Sequence, residues 1–87
     1  MKKIRLTSHA REQCEERGAT EEEVIEAIRT GIREPAKHKR WLYRANFQFN
    51  GIWNGERYPL KQVAPVIVEE AEEIIVVTVY TFSFEVK

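Results

Sequence analysis

The hydrophobic rhythm of the chain changes twice. Residues 3-KIRLT-7 alternate polar and apolar, with Ile4 and Leu6 on one face, and predict a short first strand. From there to Gly31 the apolar spacing is helical. Thr7 or Ser8 can cap a first helix by accepting a bond from a first-turn backbone N–H; Ala10, Cys14 and Arg17 then share a stripe, and Gly18 supplies a left-handed stop. Thr20-Glu21-Glu22-Glu23 has the reciprocal pattern of a capping box, and Val24, Ile25, Ala27 and Ile28 give a second helix its apolar face. Gly31-Ile32 fits a Schellman-type end for that helix.

Beyond Lys37 the period falls to two. In 40-RWLYRANFQFN-50, Trp41, Tyr43, Ala45, Phe47 and Phe49 lie on one face and Arg40, Leu42, Arg44, Asn46 and Gln48 on the other. Asn50-Gly51 and Asn54-Gly55 both signal a hairpin turn, so the chain is expected to reverse within 50–56 and return as a strand over 58–69. Pro65 cannot donate to a ladder and predicts an edge or a bulge. The run 74-IIVVTVYTFSF-84 is apolar on both faces at its start, the mark of a strand flanked on both sides. The expected fold is α+β: strand, two helices forming a hairpin on one face of a single sheet, then three antiparallel strands.

The 87 residues suit one domain over 1–87, and a chain of this size buries only about 60–65% of its unfolded surface. No apolar run reaches the roughly 18 residues of a membrane span, and no signal-like segment follows Met1, so no membrane association and a cytoplasmic location are the expectation. Cys14 has no second cysteine for a disulfide or a zinc site and reads as a small buried hydrophobe. Net charge is zero, but its distribution is polar: residues 12–26 hold seven Glu and one Arg, whereas 29–61 hold eight Lys or Arg against Glu34 and Glu56. A basic stripe attracts polyanions locally even on a neutral molecule.

Candidate chemistry follows from that stripe. His9 stands in the first turn of the first helix, where the dipole favours the base form of imidazole and free N–H groups can hold a phosphate. Arg44 and Lys61 are candidate phosphate cations on neighbouring strands, Arg11 and Arg40 further ones, and Trp53 in the turn is a candidate to stack on a base. Thr78 and Tyr80 share one face of the last strand while Thr81 points away. A base, cations and hydroxyls around one phosphodiester would suit metal-independent RNA cleavage. Trp41, Tyr43, Phe47 and Phe49 read as core beneath the helices, and His38 as part of a basic loop that touches a polyanion. There is no Gly-rich phosphate loop and no metal or cofactor spacing. The alternative is a non-catalytic module that uses the basic region 37–61 and a strand edge to bind RNA or a protein.

The segments His9-Ala10, Glu16-Arg17-Gly18, Thr20-Glu21-Glu22-Glu23-Val24 and Ile75-Val76-Val77-Thr78-Val79-Tyr80 together resemble the bacterial and archaeal domain-of-unknown-function family 4258. That family is grouped with small ribonuclease toxins of the RelE and barnase/colicin type. The resemblance covers nearly the whole chain and implies a RelE-like fold, RNA as substrate, an antitoxin protein as partner, His9 as base, Arg17 as a phosphate-binding or helix-orienting cation, and Thr78 with Tyr80 as site residues. One position departs from the pattern: four residues after His9 it has Arg, and this chain has Gln13. Arg11 does not replace it, since two residues place it about 160° away around a helix. Arg17 also has a structural reading, as a cation at a helix C-terminus within reach of Glu21.

Overall fold

A computed structural model describes residues 2–53 and 55–84, leaving aside the side chains at 49–53, 56–59 and 84. The order is β1 (Lys3–Leu6), α1 (Ser8–Arg17), α2 (Glu21–Thr30), β2 (Ile32–Ala36), β3 (Arg40–Trp53), β4 (Glu56–Glu69) and β5 (Glu73–Phe84). One sheet runs β1-β5-β4-β3-β2, with β1 parallel to β5 and every other pair antiparallel. The α+β layout of strand, helical hairpin and sheet matches the expectation. The structure adds β2, a short edge strand whose Arg33, Glu34 and Pro35 carry no alternation of their own; its partner β3 imposes the extended form.

Helix ends follow the local chemistry. Thr7 caps α1 by accepting from the Ala10 N–H at 3.1 Å, and Gly18 ends it at φ 70°. At α2 the Glu23 N–H donates to Thr20 Oγ1 (3.1 Å) and the Thr20 N–H to Glu23 Oε1 (2.9 Å), completing the capping box. Gly31 differs from the expected left-handed stop: it is extended at φ −74° and ψ 165°. Glycine is required there for space, because a Cβ would lie 2.3 Å from the Ala27 carbonyl oxygen and 2.6 Å from that of Arg44.

Both helices lie on one face of the sheet. The core beneath them joins Leu6, Ala10, Cys14, Val24, Ile28, Val63, Ile67, Val76 and Val79, with Trp41, Tyr43 and Phe47 packed against it, as the alternation of β3 requires. Burial pushes the Cys14 thiol up, reinforced by the charges of Glu21 and Glu23, so it behaves as an apolar side chain. Among the described residues no helix covers the opposite face, where the buried residues Leu42, Ala64 and Val66 form a small cluster with Ala36 and Val77 beside it.

Three irregularities shape the sheet. The hairpin closes at Trp53↔Glu56, with Gly55 at φ 81°, while Asn50-Gly51 falls within a register shift between Gln48 and Gly51 and makes no turn. Pro65 is fully buried in an interior strand, where the β3–β4 ladder lapses between Leu42↔Val66 and Ala45↔Val63. A further shift pairs Val66 with Thr78 and Ile67 with Val76, leaving Val77 as the extra residue of β5. Val76 and Val79 therefore both face the helices although three positions separate them. At the β1 side, Lys2 pairs with Glu69 and Arg5 with Glu73; the hydrogen bonds from these cations hold both carboxyls below the usual range. Such pairing contributes above the ordinary carboxylate pKa and is lost as the pH falls through the lowered values.

Candidate nucleic acid interface

The uncovered face is built in cross-strand rows. Asn46, Gln62 and Phe82 form one row and Leu42, Val66 and Thr78 another; between them Ala64 stands opposite Tyr80. Ala64 is fully buried beneath the larger side chains around it. The Arg44 guanidinium donates to Gln62 Oε1 at 2.9 Å and to Glu34 Oε1 at 3.2 and 3.3 Å, and lies 6.0 Å above the Phe82 ring. Tyr80 and Phe82 remain 43% and 47% exposed even with an arginine against each ring.

Beside this row, a cavity of about 290 Å³ opens under the turn between β2 and β3. Leu42, Val66 and Ala36 form its apolar wall, and Lys37, His38, Arg40, Thr78 and Tyr80 provide its polar groups, with Glu34 as the one carboxylate. Here the structure brings together three residues expected from the sequence, Arg40, Thr78 and Tyr80. The pairing Val66↔Thr78 and the bulge at Val77 are what turn Thr78 onto this face.

Arg17 reaches the same region from the helical layer. β1 ends at Leu6, so β5 beyond Val76 has no strand on that side, and α1 takes its place. Thr7 N–H donates to the Val76 carbonyl at 3.1 Å, the Val79 N–H donates to Gln13 Oε1 at 2.8 Å, and Arg17 Nη1 donates to the Val79 carbonyl at 2.8 Å. The Thr81 hydroxyl then donates to the Arg17 carbonyl at 2.9 Å. Residues 13 and 17 lie one helical turn apart, matching the N–H and C=O of one strand residue. The guanidinium of Arg17 also sits 5.2 Å from the Tyr80 ring centroid. Gln13 therefore serves the strand edge. Gln13→Ala would orphan the buried Val79 N–H and is expected to destabilise the fold by about 1–3 kcal/mol in urea unfolding; a loss near zero would refute the edge role.

Other expected site residues lie elsewhere. His9 is exposed in the first turn of α1, eight residues and about 12 Å along the axis from Arg17, so helix geometry separates it from the Arg17–Tyr80 pair. Arg11 is exposed and pairs with Glu21, the partner considered for Arg17. Lys61 is on the opposite face from Arg44: its pairing with Phe47 turns it beneath the helices, where it is 6% exposed and donates to the Gly18 carbonyl at 2.8 Å and Glu23 Oε1 at 2.9 Å. It locks the end of α1 to the start of α2. The side chain of Trp53 lies outside the described residues.

Sequence reasoning left Phe82 unassigned and read His38 as a polyanion contact of a basic loop, not as a catalytic imidazole. Phe82 was signalled by its alternation with Tyr80; His38 by its place in Lys37-His38-Lys39-Arg40, although only the β2–β3 pairing brings that turn beside Tyr80. No family model, curated protein or solved structure matches this chain.

Proposed function

We propose that the protein binds single-stranded RNA across the uncovered face of its sheet and cleaves it without a metal ion, as a small endoribonuclease of the toxin kind held in check by an antitoxin protein. The observation that carries this reading is the pairing of exposed aromatics with arginines: Arg17 over Tyr80 and Arg44 over Phe82, beside a cavity edged by Lys37 and Arg40. Unpaired bases stack on aromatic rings with little regard to sequence, and neighbouring cations follow the backbone. A duplex offers no free base faces and suits this surface less. Charge neutralisation falls to Arg40 and Lys37 at the cavity and to Arg44 beside it.

Fluorescence anisotropy with a labelled single-stranded RNA tests the binding step. Tyr80→Ala is expected to cost about 1–3 kcal/mol of affinity. Arg40→Ala should weaken binding and flatten its salt dependence, and Arg11→Ala, far from the face, should do neither. Equal affinity for wild type and Tyr80→Ala would end the proposal. The second reading is a non-catalytic RNA-binding or protein-interaction module, favoured by the separation of His9 from Tyr80. Wild-type protein that binds RNA, leaves it intact and is harmless when expressed would select it.

A further inference from the structure

We propose that His38, not His9, is the imidazole serving this face, and that a phosphodiester is cleaved in the cavity beneath the turn at 37–39; this rests on the RNA-binding reading above. In this cavity wall an imidazole, a phenol, an aliphatic hydroxyl and two fixed cations line one space: His38, Tyr80, Thr78, Lys37 and Arg40. Glu34 is the carboxylate in the same wall, and its nearest fixed cation is Arg44, at 3.2 Å.

The backbone supplies an independent observation. His38 and Lys39 have φ of 62° and 59°, a left-handed conformation disfavoured for any residue with a Cβ, whereas Gly18 and Gly55 take such angles elsewhere. Both lie in the turn that joins β2 to β3, and positive φ at both central residues is what a primed hairpin turn requires, a conformation Asn or Gly adopts more easily. The turn places His38 in the wall of the cavity that Tyr80 also lines.

The chemistry balances with groups on the page. The His38 ring nitrogen takes the proton of the 2′-hydroxyl as its oxygen bonds to phosphorus, and the phosphorus–O5′ bond breaks. The leaving O5′ takes the Tyr80 hydroxyl proton, giving a 2′,3′-cyclic phosphate and a 5′-hydroxyl. Solvent then returns the proton from His38 to the Tyr80 oxygen. Arg40 and Lys37 carry the added charge of the pentacovalent phosphorus.

His38→Asn is the decisive variant, because asparagine tolerates positive φ and preserves the turn. With a fluorescein-labelled single-stranded RNA, it is expected to bind as wild type does and to cleave about 100-fold more slowly in single turnover. His9→Asn should cleave at the wild-type rate, and mass spectrometry should find the cyclic phosphate. Undiminished cleavage by His38→Asn would overturn this inference and leave the binding face standing, as would wild type that binds RNA without cutting it. Absence of RNA binding by wild type would overturn both.

Discussion

Gly31→Ala is expected to lower stability by about 3 kcal/mol, the upper end of overpacking costs, even though the backbone at Gly31 is ordinary. A Cβ there would meet two carbonyl oxygens, those of Ala27 and Arg44, at 2.3 and 2.6 Å; neither is the movable end of a side chain. Relief requires shifting either the end of α2 or the start of β2, where Ile32 pairs with Arg44. Gly18→Ala provides the comparison. Its φ of 70° strains any other residue, but its Cβ meets nothing within 4 Å, so about 1 kcal/mol is expected. Urea unfolding of the two variants checks the order, and a larger loss at Gly18 would contradict it. RNA affinity should fall in Gly31→Ala as well, because β2 carries Glu34 and leads into the turn at 37–39.

Lys61→Met is the second large effect, and it separates structural from ligand-binding cations. The Lys61 ammonium is buried between the Gly18 carbonyl and Glu23, and methionine fills the space without the charge. The carbonyl and the carboxylate then lose a partner in a poorly solvated place, an expected cost of about 2–3 kcal/mol, moderated because Glu23 keeps 20% of its side chain exposed. Where the variant is still folded, its RNA affinity should equal that of wild type. A phosphate-binding lysine would give the reverse: unchanged unfolding and weakened, less salt-sensitive RNA binding.

Features fixed by neighbouring residues were legible in the chain. Thr7, Gly18 and the Thr20–Glu23 box act within one turn, and the strict alternation over 40–48 sorted Trp41, Tyr43 and Phe47 from Leu42 and Arg44. Features that depend on register were not. Lys61 alternates with Val63 and Ile67, but its face follows only from its pairing with Phe47. β2 owes its extended form to β3, and the turn it shares with β3 decides that His38 lies near Tyr80. Gln13 shows the same limit in the opposite direction: by residue type it is a lost cation, and by position it is the acceptor that the Val79 N–H needs. Thus the shared face of Thr78 and Tyr80 was legible, and the turn that brings His38 and Arg40 into the same cavity wall was not.

The closure of α1 over β5 also sets an order in time. The bonds joining Gln13 and Arg17 to Val79 span 66 and 62 residues, so α1 lacks its main packing partner while the ribosome is still making β2, β3 and β4. Arg17 and Tyr80 meet only after nearly all of the described chain exists. The docking of α1 on the edge of β5, and with it the contact of Arg17 with Tyr80, therefore comes late, once β5 has been made.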